Sequence, residues 1–232
     1  MNTPGGSALA WLGNWVPIRQ LGRRHRSRIT EHLLALTPSD RYLRFGHAIG
    51  DTQITRYAST LNFDLDELFG VFNRRLDLIA MAHLAYPRPG NTEWQDTAEF
   101  GVSVLDRYRG RGLGSRLFQL SCLHARNRQI SYLLIHALSE NAAMLHIAER
   151  AGAWRESQEA GSVTSRLHLP DDSWLSHAEE AMQTQLGELD FRLKLQAKQV
   201  RDFVDSVQTE VKDWLADGGD DAAPPTDPPP TS

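Results

Sequence analysis

Residues 97–127 read TAEFGVSVLDRYRGRGLGSRLFQLSCLHARN and decide the fold of this chain. Apolar and polar side chains alternate over residues 97–105, which predicts a β-strand. Leucines recur every three or four positions over residues 112–127, which predicts a helix. Residues 109–114 between them hold three glycines and two arginines. The stretch therefore indicates a strand and a helix joined by a glycine- and arginine-rich turn.

The turn at residues 109–114 has the composition of an anion-binding site. Glycines allow a tight turn that exposes consecutive backbone N–H groups, and the dipole of the following helix favours negative charge. Arg107, Arg109 and Arg111 add the positive charge that a polyphosphate ligand requires. The same residues could instead form a simple solvated turn, so the turn alone does not establish a function.

Several well-known motifs do not fit the sequence. The nucleotide-hydrolase loop ends in Gly-Lys-Ser or Gly-Lys-Thr, and neither tripeptide occurs. The dinucleotide fingerprint is G-x-G-x-x-G early in a βαβ unit, whereas this turn is G-x-G-x-G in mid-chain. The chain also has no G-x-S-x-G elbow of a serine hydrolase, no H-E-x-x-H and no clustered Cys and His ligands, so we expect no metal.

Outward from the turn, strand and helix patterns alternate over residues 15–170. Strands are predicted at 15–19, 68–72, 76–86, 97–105, 132–138 and 163–169. Helices are predicted at 26–36, 51–61, 112–127 and 141–151, and the TPSD sequence at 37–40 indicates a further helix start that leads into 41–45. This order predicts an α/β fold, a mixed sheet with helices on its faces.

The residues around the turn resemble the Gcn5-related N-acetyltransferase (GNAT) superfamily. Its signature, Gln/Arg-x-x-Gly-x-Gly/Ala, matches RGRGLG at 109–114. Residues 98–104 resemble the family's fourth strand, and residues 141–153 resemble its N…M-L…G-F helix. LTPSDRYLRF at 36–45 resembles the opening of bacterial protein-lysine acetyltransferase domains. The resemblance covers roughly residues 16–170.

The resemblance implies a GNAT fold, with a mixed, mostly antiparallel central sheet flanked by helices. It also implies acetyl-CoA as co-substrate, bound by the backbone of Val102 and Val104 at the pantetheine arm and by Asn141 near the next strand. Asn141 could also serve only as a helix N-cap, and both roles can hold. The pyrophosphate would bind at the turn itself, that is at Arg109, Gly110, Arg111, Gly112, Leu113 and Gly114.

Glu99 is the candidate general base. A lysine-like amine is almost wholly protonated at neutral pH, so a base must remove a proton before the amine can attack a thioester. The resemblance matches Glu99 to the strand glutamate that does this in protein-lysine acetyltransferases of the family. A glutamate is also unusual within a strand. The alternative is a solvated position on a strand edge.

The general acid is not evident from the sequence. Many members of the family carry a tyrosine acid seven residues after the motif asparagine, where this chain has Ala148. Ser139 or a water molecule remain as weaker options. His136 and His146 are further candidates, although histidines in such segments more often have packing or surface roles.

Composition limits the classes of partner. The chain has 232 residues and a formal net charge of −4, so neither nucleic acid nor an anionic membrane is an expected partner. A single cysteine, Cys122, excludes an internal disulfide and lies in a leucine-rich helix where we expect it to be buried. Residues 1–14 lack the features of a signal peptide and are expected to be flexible. With no run of about 18 apolar residues, we expect a cytoplasmic protein.

Residues 172–216 have a purely helical pattern that is separate from residues 15–170. Their apolar residues form a heptad seam of about four repeats, which predicts a coiled coil or another helix–helix contact. We therefore expect a homodimer or a helix-mediated partner through residues 175–214. Gln196 within the seam could fix its register or be a simple polar gap. The seam comprises Met182, Leu186, Leu189, Leu193, Val200, Phe203 and Val207. Residues 217–232, rich in Asp and Pro, predict a disordered tail.

Two hypotheses of different classes follow. One is an enzyme that transfers an acyl group to a primary amine, with a protein lysine as one candidate. The other is a non-catalytic acyl-CoA-binding sensor or scaffold that acts through the C-terminal helix. A purely structural interpretation leaves the glycine turn unexplained. The sequence does not identify the acceptor, since Asp64, Asp66 and Glu67 could attract a cationic amine or simply be solvated.

Overall fold

A computed structural model describes residues 17–90, 94–159 and 161–169, together with residue 191. Over these residues the strands are β1 Arg19–Leu21, β2 Glu67–Phe72, β3 Leu78–Ala85, β4 Thr97–Val104, β5 Tyr132–Leu138, β6 Trp154–Glu159 and β7 Ser162–His168. The α-helices are α1 Arg26–Leu34, α2 Pro38–Phe45, α3 Asp51–Thr60, α4 Leu113–Asn127 and α5 Ala142–Arg150. Short 3-10 turns lie at Arg23–His25 and Asp106–Tyr108.

The seven strands form one sheet in the order β1-β2-β3-β4-β5-β7-β6. All neighbouring strands are antiparallel except β4 and β5, which are parallel. The β4–β5 pairing runs only from Thr97 opposite Tyr132 to Glu99 opposite Leu134. Because the pairing ends there, the C-terminal halves of β4 and β5 diverge and leave a gap inside the sheet. The predicted mixed, mostly antiparallel α/β sheet is confirmed.

Each face of the sheet has its own apolar core. On one face α4 and α5 cover the sheet, and the Phe118 ring meets Phe100 at a centroid distance of 5.1 Å. On the other face α1 and α3 contribute Ile29 and Ile54, which pack against Met81. Since both faces are covered, the inner strands are apolar nearly throughout, and all six residues of β2 are buried.

Helix α2 begins where the sequence predicted a helix start. The Thr37 hydroxyl accepts the backbone N–H of Asp40 at 3.2 Å, and Pro38 occupies the first turn. Gly46 ends the helix in a left-handed conformation with φ of 77°. These local signals place residues 38–45 against the sheet directly after α1.

One predicted strand is shifted in the structure, and one observed strand was not predicted. A strand was predicted at 15–19, of which the structure describes residues 17–19; among these β1 begins only at Arg19 and continues to Leu21, because its position is set by pairing with β2, where Arg19 lies opposite Gly70. Strand β6 was not predicted. Its sequence, WRESQE, has no apolar alternation because it is an outer strand that pairs only with β7, and Trp154 is exposed.

Several predictions fall outside the described residues. These are the flexible terminus at 1–14, the tail at 217–232 and almost all of the helix at 172–216. Within that helix Phe191 is described, and it is helical. The Arg19 guanidinium carbon lies 3.8 Å from its ring centroid and the Phe72 ring lies 5.2 Å away. No helix of the described ranges is long and apolar enough to cross a membrane.

Candidate active site

A cleft of about 760 Å³ opens where β4 and β5 separate. Its walls come from β4, from the turn at 109–115, from helix α2, and from the ends of β5 and α5. The volume is in the range of sites that bind small molecules and cofactors. The break in strand pairing thus places the predicted turn and the predicted base in one cavity.

The glycine turn presents free backbone donors to this cleft. Gly110 and Gly112 have φ values of 71° and 74°, a left-handed conformation that side chains with a Cβ rarely adopt. The first hydrogen bond of α4 runs from the Arg116 N–H to the Gly112 carbonyl at 3.1 Å. The amides of residues 113–115 therefore have no partner within the helix, and these residues line the cleft. Such a helix start binds anions.

Arg107, just before the turn, and Arg109 and Arg111 within it are not equivalent. Arg107 and Arg111 lie at the Tyr108 ring, with guanidinium carbons 5.0 and 5.3 Å from its centroid. In the described part of the chain neither pairs with a carboxylate. The Arg109 guanidinium instead donates to the buried carboxylate of Asp40. Arg109 therefore anchors the turn, while Arg107 and Arg111 keep their charge available for an anion.

Glu99 lies at the fork of the sheet. It occupies the last paired position of β4 with β5, its side chain is exposed, and it lines the cleft. Strand β4 lies between β3 and β5, so Glu99 is not on a strand edge. Over the described ranges it has no hydrogen-bond or ion-pair partner. A carboxylate in this position can accept a proton from a group bound in the cleft.

Arg44 of α2 reaches across the cleft onto β4. A Cβ atom at Gly101 would lie 2.5 Å from Arg44 Nη2, so glycine at this position leaves the space that the guanidinium occupies. Arg44 Nη2 also donates to the Tyr57 hydroxyl at 3.3 Å. Arg44 was not predicted as a cleft residue, because a lone arginine on an amphipathic helix resembles a surface residue.

The Tyr57 hydroxyl begins a chain of polar contacts that leaves the cleft. It lies 2.8 Å from His83 Nδ1, and His83 Nε2 lies 3.2 Å from an oxygen of Asp66. Arg88 donates to both oxygens of Asp66 at 2.9 and 3.0 Å. Burial alone would raise the pKa of Asp66, but the close contact with His83 and the two hydrogen bonds from Arg88 outweigh it and hold that pKa below its usual value.

This geometry changes the interpretation of the acidic residues at 64–67. Asp66 and Glu67 are buried and paired, so they are neither solvated nor open to an amine. Burial would raise the pKa of Glu67, but hydrogen bonds from His124 and from the Tyr86 hydroxyl, the latter at 2.7 Å, lower it below its usual value. Asp64 pairs with Arg23 at the surface. Among the described residues, the free carboxylate of the cleft is that of Glu99.

Comparison with known proteins identifies the family of this domain. Residues 40–153 match the profile of the Acetyltransferase (GNAT) family. The chain contains a GNAT acetyltransferase domain. The GNAT domain is an acyl-CoA-dependent N-acyltransferase, and the fold class and family resemblance expected from the sequence are both confirmed.

Solved structures share this fold. The GNAT domain of S. lividans PAT is 21% identical with a TM-score of 0.56, covering 66% of this chain and 89% of that chain. The ribosomal-protein-alanine N-acetyltransferase from Brucella melitensis is 17% identical with a TM-score of 0.52, covering 66% and 99%. An N-acetyltransferase from Staphylococcus aureus Mu50 is 15% identical with a TM-score of 0.53, covering 66% and 98%. At these identities the likeness shows the fold alone.

Helix α5 brings Asn141 to the cleft of the GNAT domain. The Asn141 side-chain oxygen accepts the backbone N–H of Met144 at 3.2 Å, which confirms the predicted N-cap. Asn141 also lines the cleft, as do His136 and His146. Ala148 is buried in the core. The cleft of this GNAT domain therefore receives no tyrosine hydroxyl from the position at which many family members carry one.

His32 and Cys122 are both held uncharged by their surroundings. Burial lowers the pKa of His32 to about 4, against a smaller opposing effect of the Leu78 carbonyl. His32 Nδ1 lies 2.8 Å from that carbonyl and its Nε2 lies 2.8 Å from the Ser103 hydroxyl, so Nδ1–H donates and Nε2 accepts. Burial also raises the pKa of Cys122 to about 12, although the residue as a whole is only half-buried rather than fully buried as predicted. Within the described residues no group of three or more His, Cys, Asp or Glu could hold a metal ion.

Proposed function

We propose that this protein transfers the acetyl group of acetyl-CoA to a primary amine, with a protein lysine as a candidate acceptor, and that Glu99 is the general base. The supporting observation is the position of Glu99. It is exposed at the fork between β4 and β5, without a hydrogen-bond or ion-pair partner among the described residues, in the same cleft as the anion-binding turn.

The proposed site for acetyl-CoA follows β4 and the start of α4. The amides of residues 110–114 bind the pyrophosphate, with Arg107 and Arg111 as counter-charges. Val102 and Val104 lie beyond the last β4–β5 pair, so their backbone groups on that side have no strand partner and are available to the pantetheine arm. Asn141 approaches the acyl group from the opposite wall.

The proposed reaction is a direct attack of the amine on the thioester. Glu99 removes a proton from the ammonium group, and the free amine attacks the carbonyl carbon. Backbone N–H groups near Val102 and Val104 stabilise the oxyanion. The carbon–sulfur bond then breaks, and the CoA thiolate is a good leaving group because thiol pKa values lie near 8.5. Because Glu99 is exposed, its proton passes to solvent.

The test is acetyl-CoA turnover, measured as free thiol, over polyamines, aminoglycosides, amino acids and lysine-containing proteins. Glu99→Gln should lower kcat about a hundredfold or more and leave acetyl-CoA binding by calorimetry unchanged. Glu31→Gln is the matched control, because Glu31 is an exposed glutamate paired with Arg28 on α1, away from the cleft. Undiminished turnover in Glu99→Gln would remove Glu99 as base. Binding without turnover by the wild type would favour the acyl-CoA-binding sensor or scaffold.

We also propose a cytoplasmic homodimer joined through residues 175–214. On an α-helix Phe191 lies about half a turn from the seam residues Leu189 and Leu193. Since Phe191 packs on Arg19 and Phe72 of its own domain, the seam would face away from that domain. A second copy of the same seam offers a matching apolar surface.

A further inference from the structure

Tyr57, His83 and Asp66 connect the cleft to the interior of the domain. They come from α3, from β3 and from the segment before β2. The Tyr57 hydroxyl lies 2.8 Å from His83 Nδ1, and His83 Nε2 lies 3.2 Å from Asp66 Oδ2. We call these three residues the tyrosine relay. A hydroxyl, an imidazole and a carboxylate in this order are the parts from which enzymes build proton-transfer chains.

Burial increases along the tyrosine relay. The Tyr57 side chain is half-buried and lines the cleft. The His83 side chain is 13% exposed and that of Asp66 is 1% exposed. Arg88 fixes both oxygens of Asp66. The 3.2 Å contact with the Asp66 carboxylate favours the tautomer with the proton on His83 Nε2, in which Nδ1 accepts the Tyr57 hydroxyl.

The surroundings of Tyr57 suit a proton carrier. Its oxygen accepts a hydrogen bond from Arg44 at 3.3 Å while its own proton faces His83. The guanidinium stabilises negative charge on the oxygen when the proton leaves. His83 is also the one polar side chain of β3, whose sequence is LIAMAHLA. A polar residue in an apolar strand has a cost unless it is hydrogen-bonded, and here its partner leads to the cleft.

Acyl transfer to an ammonium group moves two protons. The nitrogen loses one before it attacks and one after the tetrahedral adduct has formed, and the departing thiolate gains one. Exposed Glu99 can release the first proton to solvent. The second proton is needed at the sulfur of the departing thiolate. A half-buried side chain beside the cleft can hold this proton without exchanging it with solvent. Ala148 supplies no hydroxyl for this purpose.

We propose that the tyrosine relay carries the second proton. This inference rests on the proposed function. The Tyr57 oxygen takes the proton from the adduct nitrogen while the Tyr57 hydroxyl proton moves to His83 Nδ1. When the carbon–sulfur bond breaks, Tyr57 gives a proton to the thiolate sulfur and His83 returns its proton to Tyr57. The relay ends in its starting state, so no other reactant is consumed.

In this scheme Tyr57 is a catalytic residue, whereas His83 and Asp66 are positioning residues that act through it. Charged and titratable groups face His83 from four directions. Tyr57 and Arg44 come from the helices, Asp66 and Arg88 come from the loops next to β2 and β3, and Glu99 is its diagonal neighbour on β4.

The test compares Tyr57→Phe, His83→Gln and His83→Gly with the wild type in the thiol-release assay. Tyr57→Phe and His83→Gln should each lower kcat about a hundredfold and leave the KM for acetyl-CoA unchanged. Added imidazole should restore part of the activity of His83→Gly, which a purely structural role of His83 would not allow.

Tyr132→Phe and His168→Gln are the matched controls. Their rings pack together at 5.4 Å on β5 and β7, and neither residue lines the cleft. Both should retain wild-type kcat. Circular dichroism and acetyl-CoA binding check that each variant is folded.

The outcomes separate this inference from the proposed function. Wild-type kcat in Tyr57→Phe and His83→Gln, together with loss of activity in Glu99→Gln, would overturn the tyrosine relay and leave the proposed function intact. A low kcat in His83→Gln together with no imidazole rescue of His83→Gly would also overturn it, because His83 would then only support the fold. If the wild type turned over no amine at all, both the proposed function and the tyrosine relay would be overturned.

Discussion

The guanidinium of Arg109 donates to the carboxylate of Asp40, 69 residues earlier in the chain. Arg109 opens the signature turn, and Asp40 lies in the first turn of α2, where Thr37 caps the helix. Asp40 is 6% exposed, whereas Arg109 is 45% exposed. A residue outside the signature thus holds the anion-binding turn in place.

Replacing Asp40 with alanine should release the turn. We expect the KM for acetyl-CoA to rise about three- to tenfold with little change in kcat, since Arg109 is partly exposed and solvent screens the pair. Steady-state kinetics at varied acetyl-CoA measures this. Asp64→Ala, which removes a surface pair with Arg23, is the matched control and should leave KM unchanged. An unaltered KM in Asp40→Ala would show that the turn does not need this anchor.

Replacing Gly112 with alanine should distort the phosphate-binding amides. Gly112 has φ of 74°, a conformation that costs a residue with a Cβ about 1–2 kcal/mol. Calorimetry should show acetyl-CoA affinity about tenfold weaker, because the strain is relieved by moving the donors. Gly22→Ala is the control, since Gly22 has φ of −115° and a Cβ added there would meet no atom within 4 Å. Equal affinity in both variants would contradict the role of the turn.

Replacing Phe191 with alanine should destabilise the domain by about 2 kcal/mol, the combined loss of apolar burial and of the Arg19 contact. Thermal unfolding should show this loss at every protein concentration. Leu193→Ala, on the predicted seam, should instead weaken the dimer in sedimentation experiments. A monomeric wild type would overturn the dimer proposal. An unchanged melting temperature in Phe191→Ala would show that the contact of Phe191 with its own domain does not stabilise the fold.

The stability of the protein should fall as pH decreases from about 6.5 toward 4. Burial lowers the pKa of His32 to about 4 in the folded state, below its unfolded value of 6.5, so the unfolded chain binds the proton first. The stabilisation is therefore complete above pH 6.5 and is lost at about 1.4 kcal/mol per pH unit below it.

Urea unfolding at pH 7.5, 6 and 5 measures this slope. His32→Gln, which cannot titrate, should flatten the slope, and the exposed His168→Gln should not. His25 contributes in the same direction, since burial and the charge of Arg19 lower its pKa to about 4 as well. The same slope in His32→Gln as in the wild type would place the pH sensitivity elsewhere.

Local patterns predicted the elements well where one face is apolar. The helix over residues 112–127 and the strand over 97–105 are confirmed nearly to the residue, since spacing along the chain records which side of an element is buried. Strand β6 escaped prediction because an outer, polar strand carries no such alternation. Tyr57, His83 and Arg44 were not predicted as site residues, because each is a single polar residue in an ordinary amphipathic or apolar segment.

The family resemblance, rather than any local spacing, singled out Glu99 as the candidate base. The sequence by itself determined the turn at 109–114 and the N-cap at Asn141. These features depend on residue types at short spacing, which set backbone conformation directly. Only the tertiary structure decided that β4 and β5 separate beyond Glu99, and that His83 lies between Tyr57 and Asp66. Strand pairing and long-range contacts are determined by how all the buried faces pack together, and no local spacing specifies which partner each face will meet.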